Sequence, residues 1–324
     1  MRGEIMGLFT KYDQEGPGVF SDDPSHGPFV RFFQSYASRF LKLCMMNLMF
    51  VFFNIPAILI AYVGSIYFLP LINPVFNPTQ FQEYLAQYGI MSGNSNTTGQ
   101  GASYQLYFLL ILLSVMFVVG MLLVSVGPVQ SGLCFLYRNF ARYTTSMILT
   151  DFVTAFKKNW KQSLAASLIS LVLTTVIVLN IVFYNRIYQG PAAQILATVF
   201  VMVFVFFICI QMYVYPLIAS VDLKLRNVYR NAILFFLGRF VPTMGIFIVN
   251  IIVLLVIPVL LLLSVTYFGF AIAIFYYLFF AFSFVHYLNT FFVWQQIDRY
   301  IAKPQEAAEQ SSEAIDAKEE HTEE

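Results

Sequence analysis

The sequence predicts an all-α fold, a polytopic membrane protein of six transmembrane helices with amphipathic helices along its cytoplasmic side. Three observations carry that expectation. The 324 residues are 59% hydrophobic and 11% charged, with a mean hydropathy of +0.73, whereas soluble domains average about 25% charged and about 45–50% apolar residues. The apolar residues gather in uninterrupted runs of about 20 or more, the length a bilayer core demands of a helix; barrel strands alternate over only about 10 residues. Finally, 17 of the 18 Lys and Arg residues fall on one side of a six-crossing arrangement. A soluble enzyme and an outer-membrane barrel are thereby excluded. A net charge of +1, with no basic tract and no zinc-ligand spacing, gives no sign of nucleic acid.

Residues 1–28 read as a polar cytoplasmic segment punctuated by Glu15-Gly16-Pro17-Gly18 and Ser21-Asp22-Asp23-Pro24, with no pattern of a cleavable signal peptide. The membrane domain is expected over 29–298. It opens with an amphipathic helix whose apolar stripe (Phe29, Phe32, Phe33, Tyr36, Phe40) lies opposite Arg31, Gln34, Arg39 and Lys42. Spans are predicted at 43–69, 105–126, 163–184, 192–219, 243–265 and 267–293, with kinks at Pro56 and Pro258. An outer loop at 70–104 has one charged residue, Glu83, an amphipathic turn (Phe81, Tyr84, Leu85, Tyr88) and an Asn96-Thr97-Thr98 sequon. A second interfacial helix is expected from Asp151, whose carboxylate can cap it. There Phe152, Phe156 and Trp160 share one side and Lys157, Lys158 and Lys161 the other. A third runs from about Val221 to Leu237. Residues 299–324 form an acidic, disordered cytoplasmic tail. By the positive-inside rule both termini are expected on the cytoplasmic side.

None of the 17 acidic residues, and no Lys or Arg, falls within a predicted span. Buried ionisable groups mark proton and ion routes, so a proton-coupled pump lacks its carrier. His286, with Asn289 nearby, is read as a neutral histidine bonded across helices, and a proton-responsive role is the alternative. Ser163, Ser167, Ser170 and Thr174 form a hydroxyl stripe on the third span; helix packing is favoured over a solute path. No catalytic constellation, metal-ligand set or cofactor motif is found, and the three cysteines read as buried hydrophobes. Two inner connections rhyme: Gly127-Pro128 is followed by Arg138-Asn139 and Arg142, and Pro216 by Arg226-Asn227 and Arg230, 88 positions apart. Arginines four apart share a helix face and can clamp an acidic partner or a lipid phosphate, against the alternative of plain interfacial anchoring.

The runs GPVQSGLCFLYRNFAR (127–142) and DFVTAFKKNWKQS (151–163) resemble the YesL family of small bacterial membrane proteins. MGLFTKYDQEGPGV (6–19) and YPLIASVDLKLRNVYRNAI (215–233) look like its versions in clostridia-like Gram-positive bacteria. The sequence departs from that pattern at Tyr143–Leu149, where relatives carry polar residues, and in its long outer loop. The resemblance implies six helices, no established activity, and an association with carbohydrate-uptake systems including ABC-type importers. The residues of interest that match the family's motif are Gly127, Pro128, Arg138, Asn139, Arg142, Asp151, Phe152, Phe156, Asn159 and Trp160.

Together these readings give an expected function: a non-enzymatic accessory protein of the cytoplasmic membrane. It would dock a carbohydrate ABC transporter, or another membrane or cytoplasmic protein, through Arg138, Arg142, Arg226 and Arg230. A small-solute facilitator is the runner-up. An ABC importer subunit is a third reading, against which the 219–239 connection lacks a Glu-Ala-Ala coupling motif.

Overall fold

The computed structural model describes residues 27–87, 97–144, 146–186, 190–264 and 266–302. The polar segment before residue 27, the loop through Asn96 and the acidic tail beyond 302 lie outside the described residues, as do the expectations made for them. The described chain is helical throughout, with no strand among the described residues.

Helix α1 (Pro28–Ser38) has proline in its first turn, where the missing N–H costs nothing. It meets α2 (Phe40–Phe53) at 80°. At that corner the Arg39 guanidinium donates to Ser35 Oγ at 2.9 Å and to the Phe140 carbonyl. Phe32 and Tyr36 are the buried part of the predicted stripe, Phe32 stacking on Tyr287 at 5.3 Å, while Phe29, Phe33 and Phe40 are exposed. The chain breaks again at Asn54 and resumes as α3 (Ile55–Ile72), so Pro56 starts a helix rather than kinking one. Helix α4 (Pro78–Gln87) is the predicted amphipathic turn; it buries Leu85 and sets Phe81 5.9 Å from Tyr107 of α5 (Thr97–Gly120).

The sequence predicts a second span over 105–126, ended by Gly127-Pro128. The helix instead stops at Gly120, an irregular segment occupies 121–126, and Gly127-Pro128 begins α6 (Gly127–Ala141). Eleven of the fifteen residues of α6 are buried, among α2, α7, α8 and α13. The second interfacial helix and the third span are likewise not separate. They form one 39-residue helix, α7 (Ile148–Arg186), about 58 Å long at 1.5 Å per residue. The helix starts three residues before Asp151, which therefore sits inside the first turn rather than at the cap; its carboxylate reaches back to accept the Met147 N–H at 3.0 Å.

Helix α8 (Pro191–Ser220) returns, and α9 (Leu225–Gly238) lies against it with Val228, Ala232 and Phe236 buried. The last two crossings are each interrupted by a π-helical turn. One joins α10 (Phe240–Ile251) to α11 (Ile257–Ser264) through Ile252–Val256; the other joins α12 (Thr266–Tyr276) to α13 (Phe282–Ile297) through Tyr277–Ala281. Pro258 explains the first. A proline displaces the carbonyl four residues before it, here Leu254 O, and Tyr277 Oη donates to that oxygen at 2.5 Å while Tyr276 Oη donates to Val253 O at 2.9 Å. The second π turn frees carbonyls in its own right. Asn47 of α2 donates to Tyr277 O and Leu278 O at 2.7 and 2.6 Å and accepts the Ser283 N–H at 2.7 Å.

Among the described residues five helices are long and apolar enough to cross a membrane, at Ile55–Ile72, Ile148–Arg186, Pro191–Ser220, Phe240–Leu262 and Gly269–Tyr300; the bent pair of α1 and α2 makes a sixth if it is one span, and α5 adds the shorter apolar stretch Leu106–Gly120. Contacts fix their ends. Arg39, Phe140, Ala219 and Trp294 gather at one end, which also carries the lysines of α7 and the arginines of α9. At the other end Arg186 donates to Leu71 O at 2.9 Å and to Pro70 O.

Candidate functional site

The region in which the family-motif residues meet is built around α6. Its entry is a broken crossing, and buried polar side chains service the break. Leu122 lies in the left-handed region at φ 59°, unusual for a residue with a side chain, and the carbonyls of Leu122 and Leu123 lose helical partners. Ser170 Oγ donates to both, at 3.3 and 3.0 Å. Asn54 Oδ1 accepts the Val126 N–H at 2.9 Å, capping α6, and also Gln130 Nε2 at 3.0 Å. Ser125 pairs with the Tyr215 hydroxyl at 3.1 Å.

Ser163, Ser167 and Ser170 are all buried. They face the start of α6 so closely that a Cβ on Gly127 would sit 1.9 Å from Ser163 O. Small residues permit this approach. These three serines form a packing surface, whereas Thr174, the fourth residue of the stripe, is half-buried and lines a cavity between α3, α5, α7 and α8. Pro128 precedes no membrane exit, and Pro216 lies inside α8. The two rhyming motifs therefore sit in unlike settings: Arg138 and Arg142 at the end of one helix, Arg226 and Arg230 in the first half of another.

The arginines separate accordingly. Arg138 turns inward: Nη1 donates to Ala219 O at 2.8 Å, Nη2 to Asn139 Oδ1 at 3.4 Å, and the guanidinium lies 4.4 Å from the Phe135 ring and 5.9 Å from Trp294. Its Nε is buried without a partner among the described residues. Burial, followed by repulsion from Arg142, pulls it down to about 10, which leaves it charged at neutral pH. It ties α6 to the carbonyl end of α8, where a cation is favoured. Arg142 is exposed, 5.1 Å from the Trp294 ring, and Arg226, Asn227 and Arg230 are exposed on α9. The four arginines expected to act together are thus one structural clamp and three surface cations.

Phe152 is buried, stacked on Phe53 at 5.6 Å and covering Gly132, with Phe156 6.0 Å further along. Trp160 does not share that side; it is 46% exposed, facing outward with Lys157 and Lys161. Asn159 is buried and, with Arg138, Phe135, Ser220 and Asp222, lines a cavity of about 160 Å³ between α6, α7 and α8. Lys158 and Asp222 pair across its mouth at 3.0 Å. Both are largely exposed, so the pair adds little stability.

His286 is buried against Phe50, ring to ring at 4.8 Å, and its Nε2 has no partner among the described residues. The cross-helix bond expected of it is made by its neighbour, Asn250 Nδ2 donating to Asn289 Oδ1 at 2.9 Å. Sequence reasoning counted charges inside the spans and so passed over Asn47, Asn54 and Gln130. The available signal was an asparagine alone in an apolar run, which in lipid must find a partner.

A helical bundle with five membrane-length apolar helices among the described residues, or six if the bent pair of α1 and α2 is one span, packed around the buried α6, defines a multi-pass membrane protein. Over residues 105–181, from α5 through the break and α6 into α7, the chain is similar to a family described as "Protein of unknown function, DUF624". No curated protein and no solved structure matches it.

Proposed function

We propose that the protein is a non-enzymatic accessory component of the bacterial cytoplasmic membrane, with both termini cytoplasmic, whose basic face docks an acidic surface of a transport or sensing partner. The observation that supports this reading is the set of exposed cations at one end, Arg142, Lys157, Lys161, Arg226 and Arg230, against three described acids there, of which Asp151 is spent on a helix start, Asp222 on Lys158, and Asp298 is half-buried. A predominantly basic surface steers and selects an acidic partner. The YesL-like motifs add the expectation that the partner belongs to a carbohydrate-uptake system, such as an ABC importer. The solute-path reading has less behind it, since three of the four hydroxyls of the stripe it needs, Ser163, Ser167 and Ser170, are buried at the contact with α6 and the segment before it.

Replacing Arg142, Arg226 and Arg230 with glutamine is expected to reduce co-purification of the partner from the native host by about tenfold or more, with thermal stability unchanged. Arg138→Gln is expected to do the reverse, lowering thermal stability by about 2 kcal/mol through the lost charged hydrogen bond. Undiminished co-purification of the triple variant overturns the docking reading.

A further inference from the structure

Between α3, α5, α7 and α8, in the half of the bundle that ends at Arg186, lies a half-enclosed cavity of about 300 Å³. Ala61, Gly64, Phe68, Phe117, Val178 and Phe204 give it an apolar wall. Three of its four hydroxyls are turned to protein, Ser65 and Ser114 bonding each other at 3.2 Å and Thr175 donating to Leu171 O at 2.9 Å, and Thr174 Oγ1 alone has no partner among the described residues. A bound water needs two to four polar partners, and this wall does not supply them. Left empty, the lining atoms forfeit dispersion contacts on one side. Ile60, which lines the cavity, is exposed, as are Val63 and Val172 on the same two helices. The hollow is therefore continuous with the apolar surface that faces lipid, and the fluid at that depth is acyl chain.

A second feature sits at the cavity's end. Its lining on α3 runs from Ile60 to Ile72, about 18 Å of helix. Arg186 grips the carbonyls of Pro70 and Leu71 immediately beside Ile72. Those bonds use Nε and Nη2, so Nη1 of an exposed guanidinium remains available, and no other Lys or Arg lies at this end among the described residues. Arginine is well matched to phosphate. We propose that this cavity holds one acyl chain of a membrane phospholipid whose phosphate rests on Arg186.

The full chain, purified in mild detergent, is tested by extracting and quantifying retained phospholipid by mass spectrometry. Gly64→Leu fills the hollow: a Cβ there meets only a Phe68 ring carbon at 3.9 Å, an ordinary contact. It is expected to retain about tenfold less phospholipid than the wild type, a loss equal to about 1.4 kcal/mol. Arg186→Gln is expected to lose phospholipid about fivefold while taking up diacylglycerol, which has the chains without the phosphate, as well as the wild type does. Wild-type protein free of stoichiometric phospholipid overturns the proposal. So does equal retention by a Gly64→Leu variant of unchanged thermal stability. If that variant fails to fold, equal retention by Arg186→Gln overturns it.

Discussion

Gly127 and Gly120 both stand where helices touch, yet they face different atoms. A Cβ on Gly127 meets a backbone carbonyl at 1.9 Å; on Gly120 it meets the Leu254 side-chain tip at 2.8 Å. A side-chain tip can rotate away and a helix backbone cannot. Gly127→Ala is therefore expected to cost about 3 kcal/mol and Gly120→Ala about 1 kcal/mol, an ordering that thermal unfolding in detergent checks; equal losses contradict it. At this scale the sequence was partly legible. Spacing alone put the serines of α7 on one face. It did not tell Arg138 from Arg142, since four residues on a helix look alike until it is known which neighbour, here the end of α8, covers one of them.

The helices of the last two crossings are linked by a chain of substitutions for lost backbone bonds, from Pro258 through Leu254 O to Tyr277, and from the π turn after Tyr277 to Asn47. Asn47→Leu removes three hydrogen bonds at once. With interhelical bonds in membranes averaging about 0.6 kcal/mol, the loss is expected to be about 2 kcal/mol, read as a lowered unfolding midpoint relative to Leu48→Ala on the exposed side. An unchanged midpoint removes Asn47 from this role. Apolar run length predicted where helices lie but not where they break. Residues 106–126 are hydrophobic apart from Ser114, Gly120 and Ser125, and a single glycine is a weak stop signal within so apolar a run; the polar atoms that α2 and α7 bring to the gap reveal the break. The join of the predicted interfacial helix to the third span was hidden because amphipathic and wholly apolar faces are both helix-compatible, and α7 simply passes from one setting to the other.

Taken whole, the molecule is electrically lopsided, with Arg186 standing apart from the other described cations. Tags on the two chain ends are expected to be protected together in intact cells and exposed together in inverted vesicles, in keeping with the positive-inside rule; ends that label from opposite sides refute that arrangement. That the chain holds several membrane-length apolar helices was legible from composition, where the sequence expectation of six meets five among the described residues, or six with the bent pair of α1 and α2. The identity of the centre was not, because α6 reads as a modest surface helix and burial depends on partners distant in sequence. One of those partners is late to arrive. Cys134 of α6 meets Thr290 of α13, 156 residues further on, at 3.8 Å. During synthesis the ribosome must thus release four more apolar segments before the seat of α6 exists. Until then this segment, already made, waits without its final wall, within reach of the quality-control proteases of the membrane.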